Sequence, residues 1–125
     1  CVEKLKKSGI RVSIFVDPDP KQIESSQMIG ADAVEIHTGL YADSVNSSDQ
    51  DYELNRIKEC AVHADRIGVR VNAGHGLHYD NTSEIAAIRE IKELNIGHSI
   101  IARAVNSGIA EAVSEMKSIM IKSRK

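Results

Sequence analysis

Aromatic side chains are scarce in this sequence: Phe, Tyr and Trp make up 3% of its 125 residues, and Trp is absent. The stacking platforms that bind single-stranded nucleic acids are therefore not expected. An excess of one charge is missing too, because 16 Lys and Arg residues balance 18 Asp and Glu residues and leave a formal net charge of -2. Without a basic excess, the chain has no electrostatic signature of nucleic-acid binding.

Cysteines and long apolar runs are also few. The two cysteines, Cys1 and Cys60, are too few for a disulfide framework and are typical of a protein of the reducing cytoplasm. No apolar run approaches the roughly 18 residues that a membrane-spanning helix needs, so no membrane partner is expected. The 125 residues predict one domain, large enough to bury a core without a disulfide or a structural metal.

Short apolar runs alternate with helical patterns along the chain. The β-branched runs predict four strands, at residues 11–16, 33–37, 69–73 and 93–96. Helices are predicted at residues 1–8, 20–29, 49–67, 83–92, 99–106 and 108–123, and a polar loop at residues 38–48. Because each strand is followed by a helix, the pattern favours a parallel sheet with right-handed crossovers, in a single α/β unit over residues 1–125.

Helical spacing also predicts which side chains reach the core. Apolar residues three or four positions apart form a stripe along the longest predicted helix, and Cys60 lies beside it as a small buried side chain. The expected core contacts of this helix and of the helices before and after it are Ile23, Met28, Ile29, Leu54, Ile57, Ala61, Ala64, Ile85 and Ile88.

A polar residue ends or follows each predicted strand, namely Asp17, His37, His75 and His98. The carboxyl ends of parallel strands share one edge of the sheet, where α/β proteins form their sites, so these side chains are expected to meet there. Three histidines at one edge leave open a metal-dependent hydrolase. No His-x-His or His-Glu-x-x-His spacing and no carboxylate-rich cluster accompany them, which disfavours a metal site.

His75 is the first candidate for acid–base chemistry. It stands between Gly74 and Gly76, and such neighbours let the backbone turn sharply and approach a ligand closely. A histidine in this position could give or take a proton near neutral pH. The structural alternative is a histidine that caps the strand by bonding to a carbonyl.

Two further features are candidates for parts of a site at this edge. Glu35 lies inside a predicted strand, where a charge must either face a polar cavity or pair with a basic side chain. Gly97, His98 and Ser99 stand where the fourth strand passes into a helix, whose free N–H groups can bind phosphate. A simple helix cap is the alternative for this short motif.

Four runs of the sequence resemble a single enzyme family: SIFVDPD (13–19), GADAVEIHTGLYAD (30–43), VNAGHGLHYDN (71–81) and ELNIGHSIIARAV (93–105). In this order, and over nearly the whole chain, they are similar to the pyridoxine 5'-phosphate synthases of vitamin B6 biosynthesis. The resemblance implies a (β/α)8 TIM barrel of roughly twice this length. This chain would then form the C-terminal half of the barrel, with strands five to eight.

The resemblance also implies a reaction. Members of the family condense 1-deoxy-D-xylulose 5-phosphate with 3-amino-2-oxopropyl phosphate, and they release pyridoxine 5'-phosphate, phosphate and water. The chemistry is acid–base catalysis on small phosphorylated substrates, with no metal or organic cofactor. The family also implies assembly into a homo-oligomer.

The family motifs assign roles to five residues here. By resemblance, His75 is the proton donor and Glu35 stabilises the transition state, while Gly76, Gly97 and His98 contact the phosphate of the aminoketone substrate. His37 and Thr38 lie in the same motifs without an implied role.

The N-terminal half of the family barrel supplies a further catalytic histidine and glutamate, together with arginines that hold the sugar phosphate. These groups are not among the motifs of this chain, so it is expected to be inactive by itself. The alternative function is a non-catalytic, phosphate-binding half-barrel or assembly module. Such a half-barrel would expose strand edges and an apolar face through which two copies could pair.

Overall fold

Four short strands form one sheet in the computed structural model, which describes residues 1–124. The strands are β1 (Ser13–Val16), β2 (Ala33–His37), β3 (Arg70–Gly74) and β4 (Ile91–Asn95). They lie side by side in chain order, and each is parallel to the next. The predicted parallel sheet is therefore confirmed, and the carboxyl ends of all four strands lie at one edge.

Helices precede and follow these strands as predicted, with one addition. They are α1 (Val2–Lys7), α2 (Pro20–Met28), α3 (Gly39–Asp43), α4 (Ser47–Arg66), α5 (Thr82–Ala87), α6 (His98–Ser107) and α7 (Ile109–Lys122). None of the helices described over residues 1–124 combines the length and the hydropathy that a membrane crossing requires.

Helix α3 was not predicted, and the loop expected at residues 38–48 is wrong to that extent. Five residues are too few for a helical period to appear in the sequence. The helix is held by tertiary packing instead. Tyr41 is 2% exposed, and its hydroxyl donates a hydrogen bond to the carbonyl oxygen of Asn81, 2.8 Å away.

The helix predicted at residues 83–92 is too long, because α5 ends at Ala87 and β4 already begins at Ile91. The chain leaves the helical conformation at Ile88, where φ is -70° and ψ is 110°. Residues 91–95 then bond to β3, with Ile91 opposite Val71. Since the partner strand lies some 20 residues away in sequence, local periodicity does not reveal this pairing.

The hydrophobic core lies between the helices and one face of the sheet. Its strand residues include Val34, Ile36, Val71, Ala73 and Ile91, which are fully buried. The predicted helix contacts Ile23, Ile57, Ala61, Ala64, Ile85 and Ile88 are buried as well, Cys60 is 3% exposed, and Leu54 is partly buried against the same cluster. The predicted stripe of the longest helix is thus confirmed.

Met28 and Ile29 are not core residues: they are 85% and 57% exposed. The buried face of α2 is set by Ile23 and Ser26, three positions apart. At 3.6 residues per turn, Met28 lies about 140° around the helix from Ile23 and about 160° from Ser26, so it projects away from the sheet, whereas Ile29 lies beyond the last residue of α2 as its C-cap.

The second face of the sheet carries more polar residues. Phe15, Glu35 and Asn72 lie next to each other on this face, in register on three successive strands. Phe15 is 54% exposed, whereas Asn72 is 6% exposed. No hydrogen-bond donor within the described part of the chain reaches the buried Oδ1 atom of Asn72.

Candidate functional site

A cavity of about 520 Å³ lies at the edge formed by the carboxyl ends of the strands. All five residues proposed from the sequence line it: Glu35, His75, Gly76, Gly97 and His98. The remaining lining residues are Phe15, Leu77, His78, Asn95, Ile96 and Ser99. The cavity therefore combines one carboxylate, three imidazoles and the beginning of a helix.

His75 stands directly after β3 in an unusual backbone conformation. Its φ is 81°, and the φ of Gly76 is 78°. Such values cost an L-residue free energy because its Cβ approaches the backbone, whereas glycine adopts them freely. A Cβ atom at position 76 would also lie 2.7 Å from the Cβ of Ala42 in α3. Glycine at this position therefore lets the His75 turn pack directly against α3.

Thr38 joins β2 to this turn. Its side chain is completely buried, and its hydroxyl lies 2.8 Å from the carbonyl oxygen of Gly74 and 2.5 Å from that of His75. Its backbone N–H donates to the same Gly74 oxygen at 2.9 Å. These hydrogen bonds attach the connection between β2 and α3 to the two peptide groups that precede and follow the Cα atom of His75.

Glu35 lies beside the same turn. Its Oε2 accepts a hydrogen bond from the side-chain amide of Asn95, 2.6 Å away. A Cβ atom added to Gly74 would lie 2.5 Å from Oε1 of Glu35 and 2.8 Å from the carbonyl oxygen of Asn95. The absence of a side chain at position 74 thus leaves room for the carboxylate to extend from β2 over β3 to Asn95 on β4.

Three rings pack together beside the cavity. The His37 ring centroid lies 4.9 Å from that of His75 and 5.1 Å from that of Phe15. Nδ1 of His37 is 3.5 Å from a carboxylate oxygen of Asp17. The structure therefore brings together the polar residues at the ends of β1, β2 and β3, with His37 behind His75 rather than in the cavity lining.

The start of α6 forms another wall of the cavity. Gly97 precedes its first turn, and no side chain of that residue obstructs the free N–H groups. The hydroxyl of Ser99 donates to the carbonyl oxygen of Leu77 at 2.8 Å, so the first turn of α6 is tied to the loop after His75. A helix N-terminus with open N–H groups favours a phosphate or another anion.

The loop after His75 is held by Asn81. Its Oδ1 accepts a hydrogen bond from the backbone N–H of His78 at 2.7 Å, and its carbonyl oxygen accepts the bond from Tyr41. Burial raises the pKa of the Tyr41 phenol above its ordinary value, and the nearby Glu84 acts in the same direction. The phenol therefore keeps its proton and donates this hydrogen bond at neutral pH.

A metal site built on His37, His75 and His98 was the alternative that the sequence left open. Among residues 1–124, no three His, Cys, Asp or Glu side chains are arranged to hold a metal ion.

Sequence reasoning missed several lining residues, among them Asn95 and Phe15. Asn95 is the last residue of β4, and the predicted strand at 93–96 placed it one residue inside the end. With the correct boundary, the rule that polar residues at strand ends form the site would have included it. Phe15 left no such signal, because it lies between Ile14 and Val16 in an apolar run and its place opposite Glu35 depends on the register between β1 and β2.

Matches to known proteins extend over nearly the whole chain. Residues 1–122 match the family model of the pyridoxal phosphate biosynthesis protein PdxJ. The chain is 52% identical over 124 residues to the pyridoxine 5'-phosphate synthase of Legionella pneumophila, and 54% identical over 124 residues to that of Sulfurihydrogenibium sp.. The matches cover 99% of this chain but 50% and 51% of the relatives. The chain thus spans about half the length of the curated relatives it matches.

A solved structure has a similar fold. A chain in the crystal structure of the Amycolatopsis orientalis BexX/CysO complex matches with a TM-score of 0.66 and 16% identity, over 98% of this chain and 46% of that chain. At this identity the likeness concerns the fold alone. Since the curated relatives are twice as long, the parallel four-stranded sheet is consistent with half of a TIM barrel.

Proposed function

The chain belongs to the PdxJ family of pyridoxal phosphate biosynthesis proteins, and on this basis we propose that its cavity takes part in the synthesis of pyridoxine 5'-phosphate. In the proposed reaction, 1-deoxy-D-xylulose 5-phosphate and 3-amino-2-oxopropyl phosphate condense to pyridoxine 5'-phosphate, phosphate and water. The observation that supports it is the position of Glu35, His75, Gly76, Gly97 and His98 around one cavity.

His75 is the proposed proton donor. Ring closure expels water and phosphate, and each leaving group departs more easily when it is protonated. An imidazole on an exposed turn at the cavity can deliver that proton, a step that typically accelerates a reaction about 10²–10⁴-fold.

Glu35 is the proposed transition-state stabiliser. Imine nitrogens gain positive charge during condensation, and a carboxylate held beside them lowers the energy of that charge. The hydrogen bond from Asn95 orients the carboxylate before substrate arrives, so less reorganisation is needed during the reaction.

The start of α6 is the proposed site for the phosphate of the aminoketone. Gly97 and His98 stand at the N-terminus of this helix, and Gly76 lies on the facing turn. The open N–H groups and the helix dipole would bind the phosphate dianion. The acid at His75 and the phosphate site then line the same cavity.

Because the chain covers about half the length of its relatives, it lacks part of the site that this proposal requires. The covered half of the relatives corresponds, in this proposal, to strands five to eight, and the groups that hold the sugar phosphate come from the other half. We therefore expect no turnover from this chain alone. The cytoplasmic location and the homo-oligomeric assembly remain predictions, and light scattering at several concentrations tests the second of them.

Turnover can be measured in a single polypeptide that joins this chain to the half of the L. pneumophila relative that it does not cover. Formation of pyridoxine 5'-phosphate from the two substrates is expected. The variant His75→Asn should lower kcat by roughly 10²–10⁴-fold, because asparagine tolerates a positive φ but donates no comparable proton. The control His63→Asn, on α4 and away from the cavity lining, should stay within about twofold.

Two results would speak against this function. If the joined polypeptide folds but forms no product while inorganic phosphate still binds to it, the non-catalytic phosphate-binding module is the better description. If His75→Asn keeps full turnover, His75 is not the proton donor.

A further inference from the structure

His75 is held in a conformation that its own side chain disfavours. Among residues 1–124 it is the one non-glycine residue with a positive φ, at 81°. A residue other than glycine persists in such a conformation when surrounding contacts determine it, and such residues concentrate at functional sites. The contacts that hold this turn therefore matter to any role of the His75 imidazole.

The φ and ψ angles of His75 describe how two peptide planes are oriented about its Cα atom. One plane contains the carbonyl oxygen of Gly74, and the other contains that of His75 itself. The Thr38 hydroxyl lies within hydrogen-bond distance of both oxygens, at 2.8 and 2.5 Å. One side-chain hydroxyl, whose single proton is shared between the two carbonyl oxygens, thus bridges the two planes whose relative orientation is the conformation of His75.

The Thr38 hydroxyl bonds to these carbonyl oxygens instead of capping the N-terminus of its own helix. Thr38 is the residue that precedes the first turn of α3, where a threonine side chain usually accepts a hydrogen bond from a backbone N–H of its own helix. No such cap bond is present here. The hydroxyl is completely buried and directed to the neighbouring turn, and the Thr38 backbone N–H reinforces it by donating to Gly74.

We propose that Thr38 is a positioning residue, whose hydroxyl bridges the carbonyl groups of Gly74 and His75 and so holds the backbone turn that aims the His75 imidazole into the cavity. This inference rests on the proposed function for its kinetic consequence, while the conformational consequence stands by itself. The His37 ring, 4.9 Å from that of His75, gives the imidazole a fixed surface to pack on once the backbone is set.

Thr38→Val tests the bridge because valine keeps the shape and removes the hydroxyl. A residue with positive φ shows a strong NOE between its own amide proton and Hα, and this signal reports the His75 backbone in the 125-residue chain without any substrate. We expect the NOE to be strong in the parent and in Thr38→Ser, and to weaken in Thr38→Val. Thr38→Cys, with a weaker donor, replaces the valine variant if that variant does not fold.

Thr82 offers a matched control. It is also completely buried, and its hydroxyl donates to the carbonyl oxygen of His78 at 2.6 Å, in the same loop but away from His75. Thr82→Val should lower the melting temperature, as any buried threonine replacement does, and leave the His75 NOE unchanged. A merely structural role for Thr38 would make the two variants behave alike.

The kinetic test uses the joined polypeptide. Thr38→Val should lower kcat by about 10²-fold, since a misplaced catalytic group can cost that much, with KM within twofold because the start of α6 is untouched. Thr38→Ser should restore most of kcat, and Thr82→Val should keep it. A strong His75 NOE in Thr38→Val, or equal losses of kcat in both valine variants, would overturn the proposal. If the parent shows no turnover, the proposed function fails, and the NOE still decides the role of Thr38.

Discussion

The side-chain amide of Asn95 donates a hydrogen bond to the carboxylate of Glu35, with Nδ2 and Oε2 2.6 Å apart. The two residues stand on β4 and β2, which are not neighbours in the sheet, so the bond passes across β3 at Gly74. This bond is available because position 74 has no side chain.

Replacing Asn95 with aspartate should turn this attraction into a repulsion. Asn95→Asp has the same shape, but above about pH 5 it places a second carboxylate beside Glu35. We expect the free energy of unfolding to fall by about 1–2 kcal/mol at pH 7 and to recover as the pH is lowered to about 4. Urea denaturation at both pH values measures this. Asn55→Asp, on an exposed position of α4, adds the same charge four residues from Asp51 and from Glu59, and it should show a smaller pH dependence because like charges at that helical spacing cost only about 0.2–0.5 kcal/mol per pair.

Glycine at position 74 should be required for stability. In Gly74→Ala the new Cβ would lie 2.5 Å from Oε1 of Glu35 and 2.8 Å from the backbone oxygen of Asn95, and the backbone oxygen cannot move aside easily. We expect a loss of roughly 1–3 kcal/mol, measured by chemical denaturation. Gly97→Ala is the matched control, because a Cβ there would meet no atom within 4 Å and φ is -117°. Equal losses in both variants would show that steric exclusion at position 74 is not the cause.

Stability should fall at high pH because of Cys60. Burial raises the pKa of this thiol from 9.0 to about 11. Between these values the unfolded chain releases the thiol proton while the folded chain retains it. The contribution of Cys60 to the free energy of unfolding is therefore fully present below pH 9 and is lost as the pH rises towards 11. Denaturation of the parent and of Cys60→Ala at pH 8 and pH 10 should show the steeper decline in the parent. Equal declines would show that the thiol stays protonated to a similar extent in both states.

The apolar stripe of the long helix α4 should be what holds this helix against the sheet. Ile57 is 1% exposed in the centre of that stripe, so Ile57→Ala should cost about 2–5 kcal/mol through lost burial and the cavity left behind. Val45→Ala, at a position that is 99% exposed, should change the free energy of unfolding by less than about 0.5 kcal/mol. Thermal denaturation of the two variants compares them directly, and similar melting temperatures would contradict the placement of Ile57 in the core.

Much of the architecture follows from local pattern. The β-branched runs and the helical stripe predict the four parallel strands and the buried face of α4, because a period of two or 3.6 residues is visible within a short window. The polar residues at the strand ends also predict a common site, since parallel strands must point the same way. Met28 and Ile29 show where pattern fails: both are apolar, but the orientation of α2 is set by Ile23.

Contacts between residues that are distant in the sequence cannot be predicted from such local patterns. The Thr38 hydroxyl reaches residues 36 and 37 positions further along, and Asn95 lies 60 positions from Glu35. Helix α3 exists because Tyr41 packs and bonds beneath the loop at Asn81, rather than because its five residues favour a helix. Amino-acid order alone was therefore sufficient for the parallel sheet and for the edge at which the candidate residues meet. The conformation of His75 and the orientation of Glu35 depended on the folded chain, because their hydrogen-bond partners come together only when the sheet forms.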